Sequence, residues 1–321
     1  MSFPTLPFLW TVGCLFGPLT LGTLVRVWML HGVSTEGAQT HLDSIKSWWA
    51  LALVLVIASL IGDVGVAVLI GGVGILSLRE LLQIVGWQRI GAPTACAVFV
   101  LAFGYYAMLL CGYQEWLRSS APAAFVLAIG TIRASLGLFE DYIRITAAMI
   151  WGLMLFVFCL SHSYFLLKLP GIPEPWVGRA GWFLYLVLLT ECNDIAQALI
   201  GRRFGQTKIV PRISPKKSLE GLLGGLTVTM ILAVILAPWL TSVMMERSWS
   251  RGILAALLSG VLISVLGFLG DINKSGIKRD VGIKDSGTLL PGQGGMMDRV
   301  DSLTFSAPGL YFFVRSILPF F

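Results

Sequence analysis

Residues 271–301 carry Asp271, Asp280, Asp285, Asp298 and Asp301, five of the 17 acidic residues in the chain, interleaved with Lys274, Lys278, Arg279, Lys284 and Arg299. Carboxylates with no histidine or cysteine beside them suit a hard cation such as Mg²⁺, which takes oxygen ligands and keeps several waters. Ammonium and guanidinium groups suit the oxygens of a polyphosphate. If the helix ending near Gly270 continues, Asp271, Ser275 and Lys278 share one face, at offsets of 0, 4 and 7. The turn "PGQGG", with Gly292, Gln293, Gly294 and Gly295, lets a phosphate approach the backbone without side-chain obstruction. "MMDRVDS" places Asp298 and Asp301 on one face if it starts a helix. A solvated surface loop is the plainer alternative for the same composition.

A second polar block, "ECNDIAQALIGRRFGQTKIVPRISPKKSLEG" at 191–221, begins inside an apolar segment. Glu191 and Asp194 are three residues apart and so share a helix face. Carboxylates at membrane depth are costly and face a cavity or a partner. Interhelical hydrogen bonding is the plainer reading of the neighbouring Asn193 and Gln197. In "SPKKS", Ser214 is read as a cap, Pro215 as the first helical residue, and Lys216 and Lys217 as lying in the first turn. A helix start with free backbone N–H groups, a hydroxyl and two lysines is a cradle for phosphate.

Both blocks must be held by membrane helices. The chain is 56% hydrophobic and 12% charged, against about 25% charged in soluble domains. Several apolar runs approach the roughly 20 residues that a spanning helix needs. The expected fold is all-α and polytopic, with helices near 6–30, 48–78, 94–112, 121–139, 147–168, 180–200, 221–243, 252–270 and 303–321. The segment 48–78 is about twice the length that the bilayer requires. It is either one tilted helix or two broken near Gly62, which makes nine helices or ten. No cleavable signal peptide is apparent in residues 1–30. Residues 1–170 are expected to form an N-terminal set of membrane helices, and 171–321 a catalytic membrane domain with polar blocks at 201–220 and 271–302.

Lysine and arginine set the orientation. Segments 79–93, 133–146, 201–220 and 271–302 hold 15 of the 23 basic residues, and the intervening loops hold five. Both blocks are therefore expected on the cytoplasmic side of the cell membrane, where the net charge of +6 suits anionic lipid headgroups. The basic residues are dispersed between spans, which argues against nucleic acid as a partner. Cys14, Cys96, Cys111, Cys159 and Cys192 have no CxxC spacing, and His31, His41 and His162 belong to no HExxH pattern. Zinc hydrolysis and Ser-His catalysis are poor candidates on that basis. No Walker A, GxSxG or GxGxxG fingerprint occurs.

The second block resembles the signature of the CDP-diacylglycerol synthases, the phosphatidate cytidylyltransferases. That signature reads S-x-x-K-R-x4-K-D-x-G-x2-L-P-x-H-G-G-x2-D-R-x-D. The chain supplies Ser275, Lys278, Arg279, Lys284, Asp285, Gly287, Leu290, Pro291, Gly294, Gly295, Asp298, Arg299 and Asp301 at those spacings. The first block is similar to the family's earlier motif through Asp194, Gly201, Arg202, Gly205, "SPKKS" and Glu220-Gly221. The similarity covers about 180–321. It departs at Gln293, where the motif has His, at Ser218 in place of Thr, and at Gln197-Ala198 in place of Ala-Tyr. A glutamine does not exchange protons near neutral pH, so any acid–base role of that His is missing here.

The resemblance implies a magnesium-dependent attack of a lipid phosphate, phosphatidate, on the α-phosphorus of CTP, giving a CDP-lipid and pyrophosphate. A phosphate nucleophile is already ionised, so the difficulty is charge, which metals and cationic side chains address. On this reading Asp271 and Asp298 hold the principal metal, with Asp285 and Asp301 as further ligands and a second cation left open. Lys278, Arg279, Lys284 and Arg299 meet phosphate or neutralise the carboxylates. Ser214, Ser275, Lys216, Lys217, Asp194 and the 292–295 turn bind substrate, and a homodimer is the expected assembly. Two rivals stay open: a transferase acting on another lipid phosphate or a polyprenol, and a transporter using Glu191, Asp194 and Asp63 as a cation path.

Overall fold

The protein is seen here as a computed structural model that describes residues 35–169, 180–244, 248–283 and 294–318, with 286, 287, 289 and scattered positions before residue 25. The helix expected near 6–30 lies largely outside the described residues. Nine helices carry the architecture among those described. They are α1 (Thr35–Ile61), α2 (Asp63–Val85), α3 (Ala92–Leu110), α4 (Gln114–Ser135), α5 (Tyr142–Lys168), α6 (Gly181–Phe204), α7 (Leu219–Leu240), α8 (Trp249–Asp280) and α9 (Met297–Phe312). All except α4 and α9 are long and apolar enough to cross a membrane. The all-α, polytopic expectation is borne out.

The long segment read as 48–78 is two helices. Gly62, at φ 83°, takes a conformation that residues with a Cβ rarely adopt, and the chain restarts at Asp63. Lys168, at the far end of α5, forms an ion pair with Asp63. The charge at this break is thus matched by a neighbouring helix, as intramembrane charges generally are.

Four helices surround the polar residues. α6 runs along α7, α7 along α8, and α8 along α9. The buried face of α8 is lined by Gly252, Ala256, Gly260 and Ser264, small residues at a four-residue spacing that let helix backbones close up in lipid. Further along, Gly270 sits so close to the Asp301 backbone carbonyl that a side chain there would overlap it. This contact locks the charged end of α8 against the start of α9. α9 also packs on α2 and on α5. In α5 a π-turn spans Met154–Cys159, and within it the Phe156 carbonyl accepts a hydrogen bond from the Tyr106 hydroxyl at 3.1 Å.

Two helix limits differ from the sequence expectation. α8 continues ten residues past Gly270, to Asp280; the stretch has no proline, and its one glycine, Gly276, costs a helix only about 1 kcal/mol. At the other block, no helix starts at Ser214. Residues 211–217 form turns, with the Lys217 amide donating to the Ser214 carbonyl at 3.2 Å. The N-cap of α7 is Ser218, whose hydroxyl accepts from the Gly221 amide at 3.2 Å. Glu220 helps to select this start, since its carboxylate accepts the amides of Gln206 and Thr207 at 3.0 Å.

A candidate active site of paired carboxylates and ammonium groups

The extension of α8 places Asp271, Lys274 and Lys278 on successive turns of one face. The first turns of α9 bring Asp298 and Asp301 opposite them. Lys274 lies at the centre, 8% exposed. Its ammonium contacts Asp301 and stands 3.2 Å from Asp298 Oδ1 and 3.6 Å from Asp271 Oδ1. Lys278 Nζ reaches Asp298 Oδ1 at 2.8 Å. From the other polar block, Lys217 Nζ reaches Asp271 Oδ2 at 2.6 Å. Three carboxylates and three ammonium groups thus form one continuous network drawn from both blocks. Buried charges persist only when paired in this way.

Asp298 is held on its other oxygen as well. Oδ2 accepts from the Ser286 hydroxyl at 2.7 Å, the Ser286 amide at 3.3 Å and the Gly295 amide at 3.4 Å. Burial works to raise its pKa. Lys274, Lys278 and Ser286 outweigh burial and hold the carboxyl below the usual carboxylate range. The turn before α9 requires glycine. Gly294 has φ 87°, and a Cβ on Gly295 would overlap Glu80 Oε2 and lie 2.5 Å from the Ser286 hydroxyl.

A layer of hydrogen bonds supports this network. Asn193 on α6 is fully buried. Its Oδ1 accepts from Ser264 at 2.7 Å, Thr229 at 3.1 Å and Gln197 at 3.2 Å, joining α6, α7 and α8. The plainer reading, interhelical hydrogen bonding, describes Asn193; Gln197 bonds within α6 to Asn193, and its Oε1 accepts from Lys217 Nζ at 3.4 Å. Asp194 accepts from the Ser302 hydroxyl at 2.7 Å, one residue from Asp301. Glu191, half-buried, lies one turn earlier on α6.

The remaining expected site residues fall into two groups. Ser275 is half-buried on α8, Ser214 is half-buried in the turn, and Lys216 is exposed. Arg279 points away from the carboxylates, and its guanidinium donates to the Ile213 and Ile283 carbonyls at 3.2 and 3.3 Å. Lys284, Asp285, Gly292 and Gln293 lie outside the described residues.

Two residues of the network were not singled out from sequence. Lys274 looks in sequence like one more lysine of a polar block. Glu80 lies on α2, more than two hundred residues from its partners, and is 5% exposed. Its carboxylate accepts the amides of Met296 and Met297 at 2.7 and 2.8 Å, the free N–H groups at the start of α9. The available signal was an acid inside an apolar helix, as with Asp63.

Fold and site together describe a multi-spanning helical membrane protein built to manage concentrated charge. The model of the cytidylyltransferase family matches residues 43–317, and the chain belongs to that family. The match takes in α1 to α5 as well as the two polar blocks. Among curated proteins, the chain is 47% identical over 173 residues to the uncharacterized protein YnbB of Escherichia coli, covering 54% of this chain and 55% of that protein. It is 37% identical over 153 residues to a phosphatidate cytidylyltransferase of Synechocystis (46% of this chain, 50% of that one). Against that of Haemophilus influenzae it is 40% identical over 134 residues (41% and 46%). The matches span about half the length of these relatives.

The family brings with it a general expectation of a divalent cation. Among the described residues, no group of three or more His, Cys, Asp or Glu side chains is disposed as a ready cage. The Lys274 ammonium sits where the carboxylates of Asp271, Asp298 and Asp301 converge. The donors are nevertheless all oxygen and charged, which fits a hard divalent ion by chemistry. Asp271 and Asp298, partnered by Lys217 and Lys278, are carboxylates that could hold such an ion.

Proposed function

We propose that the protein is an integral-membrane cytidylyltransferase in which the phosphate of a lipid monoester, phosphatidate, attacks the α-phosphorus of CTP. The new P–O–P bond forms as the bond to the β-phosphate oxygen breaks, yielding CDP-diacylglycerol and pyrophosphate. The observation that carries this reading is the network of Lys217, Lys274 and Lys278 with Asp271, Asp298 and Asp301, assembled from both polar blocks in a chain of this family.

Such a network suits the reaction because its charges can be redistributed. Two anions must meet, and a third leaves. Lys217 and Lys278 are bound to carboxylates on the loop side, and incoming phosphate oxygens compete for them. Lys274 stays buried and keeps Asp301 and the facing helices in register. Asp271 and Asp298, with Asp285 and Asp301 as further ligands, would hold Mg²⁺, which would neutralise charge on the phosphates, and a second cation belongs in the same reading. Lys284, Arg299 and the Gly292–Gly295 turn with Gln293 complete the phosphate contacts. Ser214, Lys216 and Ser275 line the approach, with Asp194 and Glu191 toward the bilayer. Arg279 serves by tying the two blocks together.

Residues 1–170 act on this reading as a scaffold whose Glu80 orients the start of α9, and 171–321 carry the chemistry. The positive-inside distribution supports a cytoplasmic site in the cell membrane. The same proposal takes CTP from the cytosol and phosphatidate from the bilayer, puts anionic lipids at the basic loops, and has the protein work as a homodimer. The transporter reading finds less support. Asp63 and Glu80 lie at opposite ends of α2, about 25 Å apart along its axis, so Asp63 is remote from the network.

The test is pyrophosphate release by the purified protein with CTP, Mg²⁺ and a panel of lipid phosphates. Phosphatidate should support turnover, and Asp298→Asn should lower it about 100-fold or more, about 2.7 kcal/mol of barrier. Turnover with a polyprenyl phosphate but not phosphatidate would move the assignment to the alternative acceptor. No pyrophosphate with any acceptor would refute the reading.

A further inference from the structure

α8 has a second working face. At about 100° per residue, Ile272, Asn273, Gly276 and Asp280 lie roughly opposite Asp271, Lys274 and Lys278. They border a cavity of about 720 Å³ between α8, the C-terminal end of α2 and the first turns of α5. Its size falls within the roughly 300–1,000 Å³ of small-molecule sites. The walls are apolar, with Leu81, Ile84, Ile145, Ala148 and Ile277 among the lining residues. The rim is not: Arg89, Asp141, Arg144 and Asp280 also line the cavity. Arg144 Nη2 meets Asp280 Oδ2 at 3.1 Å, with both side chains more than half exposed.

The level of this rim can be read from its neighbours. Trp151, 45% exposed, donates its indole N–H to Asn273 Oδ1 at 3.3 Å. Trp87, also exposed, lies two residues before Arg89. Amphipathic aromatic rings beside arginines mark the headgroup level of a bilayer. The apolar walls then run from that level toward the hydrocarbon.

We propose that this cavity binds one phospholipid whose headgroup carries both a phosphate and a primary ammonium. Its acyl chain lies against the apolar walls, its phosphate at Arg89 and Arg144, and its ammonium at Asp141 and Asp280. The rim's formal charges sum to zero, so a purely anionic headgroup meets as much repulsion as attraction there. A headgroup of both signs engages all four residues. A primary ammonium also supplies three N–H donors for the carboxylates, which a quaternary ammonium lacks. The site is separate from the carboxylate–ammonium network because a helix thickness lies between them, and it stands whatever reaction that network performs.

Gly276 provides a clean handle. A Cβ built there meets nothing within 4 Å, so a larger side chain enters the cavity instead of displacing protein atoms. Delipidated protein in detergent would be titrated with palmitoyl-oleoyl phosphatidylethanolamine, phosphatidylcholine or phosphatidylglycerol, and bound lipid counted by native mass spectrometry. One phosphatidylethanolamine should be retained, about tenfold more tightly than either other lipid. Gly276→Leu should abolish that binding while Gly276→Ala preserves it, and Arg89→Gln with Arg144→Gln should weaken it about tenfold. Phosphatidylglycerol or phosphatidylcholine bound as tightly as phosphatidylethanolamine would overturn the proposal. So would wild-type retention by Gly276→Leu. If Gly276→Leu does not fold, the double arginine variant, altered only at exposed side chains, decides the matter by itself.

Discussion

Replacing Lys274 with methionine removes the cation that three carboxylates share while keeping much of the side chain's length. At 3.2 Å and an effective dielectric near 20, the attraction to Asp298 alone is about 5 kcal/mol before desolvation is counted. Asp301 is in contact as well, and Asp271 lies 3.6 Å away. Desolvation of the ammonium offsets much of this sum, because the side chain is only 10% exposed. The net cost of leaving buried carboxylates without their cation is then about 3–5 kcal/mol. For a long chain, each kcal/mol lowers the melting midpoint by about 2 °C, so the expected drop is roughly 6–10 °C. The assay is thermal unfolding in detergent with a chelator present, so that the shift reports the protein's own charges. Adding Asp301→Asn to Lys274→Met should recover part of the loss, since it removes one stranded charge, and Lys274→Arg should lose less than methionine. A drop below about 2 °C, or a double variant whose losses simply add, would refute the picture of a shared central ammonium.

Glu80→Ala leaves the Met296 and Met297 amides buried without their acceptor and should cost about 1–3 kcal/mol for each unsatisfied group. Hydrogen exchange at the start of α9 should speed up, whereas Glu80→Gln, which keeps an acceptor oxygen, should show the smaller change. Asp298, with its pKa depressed in the folded protein, contributes stability that is fully present above the ordinary carboxylate range near about 4 and lost as pH falls through the folded value. Melting midpoints measured from pH 7 down to about 3 should therefore fall less steeply for Asp298→Asn than for wild type, and parallel curves would show that Asp298 is not the group responsible.

Some of this protein was legible in the one-dimensional pattern, because hydrocarbon length and backbone geometry are local properties. Apolar runs of spanning length marked most of the helices, and Gly62 marked the break in the longest. The spacing of Asp271, Ser275 and Lys278 described one helical face as soon as that helix continued past Gly270. "KRDVGIKDSGTLLPGQGGMMDRVDS" and "SPKKS" were enough to suggest the family. Other features were decided only when distant segments met. Both Ser214 and Ser218 can cap a helix, and Glu220 gathering the Gln206 and Thr207 amides selects Ser218. Arg279 and Lys278 are adjacent in sequence, yet one grips loop carbonyls and the other Asp298. Lys274 becomes central because the close approach at Gly270 brings α9 against α8 and turns Asp298 and Asp301 onto its ammonium. Glu80 matters because α2 passes the free amides that open α9. Periodicity specifies which face of a helix a charge occupies; the charge it must neutralise is chosen by packing.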